Sequence, residues 1–109
     1  MDTDQVQIVF SVEPDHCVLR LGGVLGVSNA EELRQTALQI RAYRRDVEVD
    51  WSGAAQIDAA IAQVLLALRA GLAEQNRSLG HSKTIPPPIQ NWFNTAGLSE
   101  VLGNAGLGA

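Results

Sequence analysis

The residues best placed to do chemistry lie in two stretches, "VDWSGAAQIDAAIAQVLLALRAGL" and "LGHSKT". In the first, Asp58 stands between an alternating apolar segment and a long apolar run, and Ala59, Ala60 and Ile61 follow at once. A carboxylate at the start of a helix accepts hydrogen bonds from the free N–H groups of the first turn and suits the positive end of the helix dipole. It can equally belong to a surface that a partner reads. In the second stretch His81 precedes Ser82, an arrangement to weigh against the Gly-x-Ser-x-Gly elbow of hydrolases. Thr84 occupies the elbow's second glycine position, and the other histidine, His16, lies far away in the chain. A triad needs a base and an orienting carboxylate gathered around the serine. A small hydrolase using Ser82 and His81 is therefore only a remote alternative.

Other chemistries find less support. The single cysteine, Cys17, rules out an internal disulfide and any multi-cysteine metal site, and within "CVLRL" it reads as a buried strand residue. His16, His81 and Cys17 have no ligand spacing, so neither a metal nor another cofactor is expected. "LGGVLGV" lacks the lysine of a phosphate-binding loop and the third glycine of a dinucleotide fingerprint. "IPPPI" stands directly before a helical pattern and reads as an entry turn rather than a polyproline ligand. The formal net charge of −4 argues against a nucleic-acid binder, whose affinity rests on neutralising phosphates. Arg41, Arg44 and Arg45 form the nearest basic cluster, but they close a helix, where the dipole favours cations, and Asp46 follows them.

The elements that must position Asp58 follow from hydropathy periods. Residues 5–10, "QVQIVF", and 16–21, "HCVLRL", alternate and flank a tight turn, which predicts an antiparallel hairpin. After the glycine-rich "GGVLGV", the stretch "SNAEELRQTALQIRAY" predicts a helix. Ser28 and Glu31 have capping-box spacing, and Ala30, Leu33, Ala37 and Ile40 make an apolar stripe. "DVEVDW" is the cleanest strand pattern, with Val47, Val49 and Trp51 on one face; "SGAAQ" is expected as a loop. A helix is predicted from Asp58 to about Gln75, with Ile61, Val64, Leu65, Leu68 and Leu72 inward. "RSLGHS" is a poor strand candidate. "PIQNWFNTAG" predicts a last helix, with Ile89, Trp92, Phe93 and Ala96 on one face and Gly97 ending it. Strands alternating with helices imply an α/β fold: a mixed sheet of about four strands, a hairpin then βα units, with helices packed on it. At 109 residues one domain is expected, with its core at about 5–103 and a flexible tail at 104–109. The polar start "MDTDQ" and the lack of a long apolar run lead to the expectation of a cytoplasmic chain without membrane insertion.

With these elements in order, the chain resembles the STAS domains, the family named for sulfate transporters and anti-sigma factor antagonists. The likeness rests on "LRLGGVLGVSNAEELR", on "VEVDWSGAAQIDAAIAQVLLAL" and on the closing "IQNWFNTAGLSEVLG". It implies a non-catalytic protein–protein interaction module, anti-sigma factor antagonist-like, that docks a regulatory partner. The implied contact is the N-terminal end of the Asp58 helix and the neighbouring loop: Val24, Gly26, Ser28, Asn29, Asp58, Ala59, Ala60, Ile61 and Gln63. In the family a kinase phosphorylates the Ser or Thr that follows the Asp. Here that position is Ala59, which has no hydroxyl, and Val24 and Gly26 replace an acidic pair. The resemblance thus implies a module without the usual phospho-switch. Its implied partners are an anti-sigma kinase-like switch protein, other STAS proteins or a transporter ATPase, with a homodimer also open. The alternative is an accessory STAS subunit of a larger assembly, either a stress-signalling scaffold or a lipid-transport ATPase complex.

Overall fold

The computed structural model describes residues 5–102; the tail expected at 104–109 lies outside them. Strands β1 (Gln7–Val12) and β2 (His16–Val24) form the expected antiparallel hairpin, with Ile8 opposite Leu21 and Phe10 opposite Leu19. A 3-10 turn (Val27–Asn29) and helix α1 (Ala30–Arg41) then cross over to β3 (Asp46–Gln56), which lies parallel to β2. Helix α2 (Ala59–Glu74) crosses over to β4 (Leu79–His81), parallel to β3. Helix α3 (Pro87–Thr95) and a 3-10 turn (Ser99–Leu102) complete the described chain. The sheet order is β1-β2-β3-β4, a mixed four-stranded sheet with packed helices, as the alternation of patterns predicts.

Period two sorts the strand residues between the faces of the sheet. Leu19, Leu21, Val47, Val49 and Trp51 are buried and belong to one core with Leu33 and Ile40 of α1, Ile61 and Leu65 of α2, and Phe93 of α3. The opposite face carries polar groups, among them Arg20, whose Nε lies 3.4 Å from Asp50 Oδ2. Cys17 is fully buried, as its apolar setting predicts. Burial pushes its thiol pKa up, which leaves it protonated and inert. Among the described residues, no helix is long and apolar enough to cross a membrane.

Three local expectations are corrected, and a weak one is borne out. "SGAAQ" is not a loop but the second half of β3, with Gly53 paired to Gly22 and Gln56 to Val24. The cause is non-local: Gly23 takes φ +81°, β2 shifts register beside it, and its bulged end supplies the ladder that this weak strand sequence needs. The capping box of Ser28 and Glu31 does not form. The 3-10 turn moves the helix start to Asn29, and Glu31 instead accepts from Arg34 and Gln35 at 2.8–3.0 Å. Those bonds hold the Glu31 pKa down at about 2. Ala96 lies beyond the end of α3 and is exposed rather than on its buried face. The poor strand candidate proves to be β4, joined to β3 by Val47 N–H to the Ser78 carbonyl at 3.0 Å and Ser82 N–H to the Val49 carbonyl at 2.8 Å.

Candidate functional site at the start of helix α2

Asp58 caps α2. Its Oδ1 accepts from the Ala60 N–H at 3.1 Å and the Ile61 N–H at 3.3 Å. Its backbone is extended, so β3 runs almost directly into the helix and the carboxylate sits where the chain changes direction. The Val24–Asn29 segment lies alongside. Leu25 N–H donates to the Gln56 carbonyl at 2.9 Å, which ties the segment to the end of β3. Gly26 faces Asp58 so closely that a Cβ there would lie 3.4 Å from Oδ2. Gly26 and Asn29 close the 3-10 turn on each other: Gly26 N–H donates to Asn29 Oδ1 at 2.9 Å, and Asn29 N–H to the Gly26 carbonyl at 2.8 Å.

The fold thus brings Gly26 beside Asp58, on a segment that also carries Val24, Ser28 and Asn29. Two of the expected contact residues do other work. Ile61 is fully buried: it falls one turn-third after Ala60 and points into the core, so the outward patch ends at Ala60. The Asn29 side chain is spent on its own turn. Ala59 and Gln63 are exposed and Ala60 is half-buried. Val24 is 42% exposed and Val27 is 73% exposed, so the loop presents two branched apolar side chains where a soluble turn normally presents polar ones. Val27 was not among the residues singled out from the sequence. The available signal was a branched apolar residue directly before a helix start with no strand left to bury it.

The other chemical candidate comes apart. His81 is buried, and both ring nitrogens are occupied: Trp51 Nε1–H donates to Nδ1 at 3.0 Å, and Nε2 meets the Val101 carbonyl at 3.0 Å. An indole only donates and a carbonyl only accepts, so the neutral ring carries its proton on Nε2. The Ser82 hydroxyl donates to the Thr84 carbonyl at 3.1 Å and accepts from Trp51 N–H at 3.3 Å. No bond joins His81 to Ser82, so the hydrolase arrangement is absent from this pair. Burial lowers the His81 pKa to about 4, which keeps the ring neutral in its structural role.

The element order β-β-α-β-α-β-α, with a mixed four-stranded sheet and packed helices, is that of a SpoIIAA-like α/β fold. The comparisons agree. Over residues 8–103 the chain matches the family model described as the Mlab STAS domain, and it belongs to that family. An anti-sigma factor antagonist from Mycobacterium paratuberculosis superposes with a TM-score of 0.75 at 15% identity, covering 92% of this chain and 85% of that one. A putative anti-sigma factor antagonist from Thermotoga maritima gives 0.74 at 11% identity, covering 87% and 82%. The anti-sigma factor antagonist SpoIIAA in its unphosphorylated form gives 0.65 at 17% identity, covering 87% and 83%. The chain matches no curated protein.

Proposed function

We propose that this STAS domain is a non-catalytic docking module that binds a regulatory protein through the start of α2, and that it does so without a Ser/Thr phospho-switch. The observation that carries this reading is the exposed apolar pair Val24 and Val27, on the loop whose Gly26 faces Asp58, at a helix end where Asp58 already accepts from the Ala60 and Ile61 N–H groups. An apolar group at a rim gains when a partner removes it from water, at about 25 cal/mol per Å². The cap leaves little demand for an anion at the same spot. Ala59 offers no oxygen to a kinase, so the contact is governed by shape and burial rather than by charge placed on the helix. The same lack of a hydroxyl favours a second reading, an accessory STAS subunit seated in a larger assembly, since a permanently bound subunit needs no switch.

The experiment is affinity capture from the source cells with the wild-type chain and with Ala59→Asp. A carboxylate in the first turn suits the helix dipole, so the variant keeps its fold while placing a charge in the middle of the apolar rim. A partner retained by the wild type and lost by the variant is the expected result. Recovery of a kinase-like switch protein favours the antagonist reading, and recovery of a transporter ATPase or of other STAS chains favours the subunit reading. Equal recovery by both chains places the contact elsewhere.

A further inference from the structure

A groove of about 360 Å³ runs between α1 and α2. Its floor is made of small and branched side chains, among them Ala37 and Leu38 from α1 and Val64 and Ala67 from α2, and its rim carries Glu31, Arg34, Arg41 and Gln63. Leu38 is 48% exposed, off the inward stripe of α1, and stands at the groove without a cover. Glu31 and Arg34 pair with each other, which leaves Arg41 as the groove's cation without a carboxylate among the described residues. The Arg41 guanidinium lies flat on the bare backbone of Gly71, where a Cβ would come within 2.6 Å of Cζ and Nε. Arg41 Nε is buried and has no hydrogen-bond partner. The neighbouring Arg34 is engaged with Glu31 at 2.8 Å, whereas Arg41 has no carboxylate within ion-pair distance among the described residues.

A glycine inside a helix costs about 1 kcal/mol relative to alanine. Here it makes the seat on which Arg41 rests, and Gln75 Nε2 adds a bond to the Arg41 carbonyl at 3.3 Å. The result is a pre-placed guanidinium facing an apolar trough, on a chain whose net charge is −4. We infer that the groove docks an amphipathic helix of a partner protein, its apolar ridge lying between α1 and α2 and an acidic side chain reaching Arg41. Both walls are helices whose backbone groups are already paired. An extended segment would find no ladder there, while a helix brings its own backbone satisfied. The trough follows α1 for about 18 Å, enough for some three turns of a docked helix, and the alanines leave room for its ridge. The inference does not depend on the docking role proposed for the start of α2.

The test titrates the isotopically labelled chain with synthetic helical peptides of about four turns. Each carries a leucine ridge and differs only in a flanking Glu, Gln or Lys. The amide shifts are expected on α1 and α2 along the groove, and the Glu peptide is expected to bind roughly three- to tenfold more tightly than the Lys peptide. Arg41→Gln removes that preference, Arg41→Lys keeps part of it, and Gly71→Ala, which retains the charge but moves it off its seat, weakens it. Emission from Trp51 and Trp92 together, unchanged across the variants, confirms the fold. Equal affinity for Glu and Lys peptides, no binding, or a preference that survives Arg41→Gln would overturn the inference. So would displacement by laurate, which would mark an acyl chain as the occupant, or concentration-dependent shifts of the same amides without peptide, which would mark a second copy. Shifts at Val24, Val27 and Ala59 report separately on the start of α2.

Discussion

Asp58 and His81 show how two polar side chains can serve the fold rather than a reaction. Asp58 satisfies two N–H groups that the start of α2 would otherwise leave to water. Replacing it with alanine is expected to cost about 1 kcal/mol, and replacing it with asparagine a few tenths, because asparagine caps as well as aspartate. Urea denaturation of the two variants checks this, and a similar loss for both would mean that the charge rather than the cap is what matters. His81 carries a pH dependence of stability. Its folded pKa is lowered to about 4 because burial disfavours the imidazolium. An unfolded histidine titrates near 6.5, so between these values the unfolded chain binds the extra proton. Its contribution is therefore fully present above pH ~6.5 and is lost as pH falls towards ~4, by about 3 kcal/mol in all. His16 acts in the opposite sense, since the hydrogen bond it donates to Asp15 raises its pKa. The measurement is consequently a difference between wild type and His81→Gln, in urea midpoints taken from pH 7 to 4.5. The gap should narrow with falling pH, and a constant gap would show that His81 does not titrate in this window. Seen from the sequence, Asp58 declared its cap role because the residue type and the apolar run after it point the same way. His81 did not, because its partners, Trp51 and Val101, are distant in the chain.

The elements divide along the same line. The hairpin, α1, the first half of β3 and α2 each carry their own period, so local hydropathy suffices to place them. The second half of β3 does not: Ser52, Gly53 and Ala55 are poor strand formers, and the segment is extended only because Gly22, Gly23 and Val24 of β2 pair with it. β4, three residues long, likewise exists because β3 offers an edge. The start of α1 slips for the opposite reason. Ser28 and Glu31 have the right spacing for a capping box, but the Gly26–Asn29 turn competes for the same backbone and wins through two short bonds. These non-local pairings also form the candidate site. The extended end of β3 holds Leu25 through Gln56, and so sets the Val24–Asn29 loop against Asp58. The loop and the cap could be named from the sequence, but their contact could not, nor could the exposure of Val27 and the burial of Ile61.

Across the whole molecule, the buried faces of the sheet and of all three helices meet in one core. The closing segment is bound into it through a chain of contacts: Phe93 packs edge-on against Trp51 at 6.0 Å, Trp51 stacks near His81 at 6.1 Å, and His81 holds the Val101 carbonyl. Helix α3 is short, and alone it would be marginal in water. Its stability comes from Ile89 and Phe93, both fully buried. Truncating Phe93 to alanine removes the ring that joins α3 to β3 and leaves a cavity, at an expected cost of about 3–5 kcal/mol. That is a large share of the roughly 5–15 kcal/mol that holds a domain of this size together. Because Trp51 and His81 lie between α3 and the rest of the core, the loss is expected to be felt by the whole domain. With Trp92 replaced by Phe in both chains, so that Trp51 is the sole indole, emission and far-UV circular dichroism should then move to lower urea with a common midpoint. If the dichroism instead loses a helix's worth of signal well before the emission changes, α3 and the closing turn form a separate unit, and the route from Phe93 through Trp51 to Val101 does not couple them.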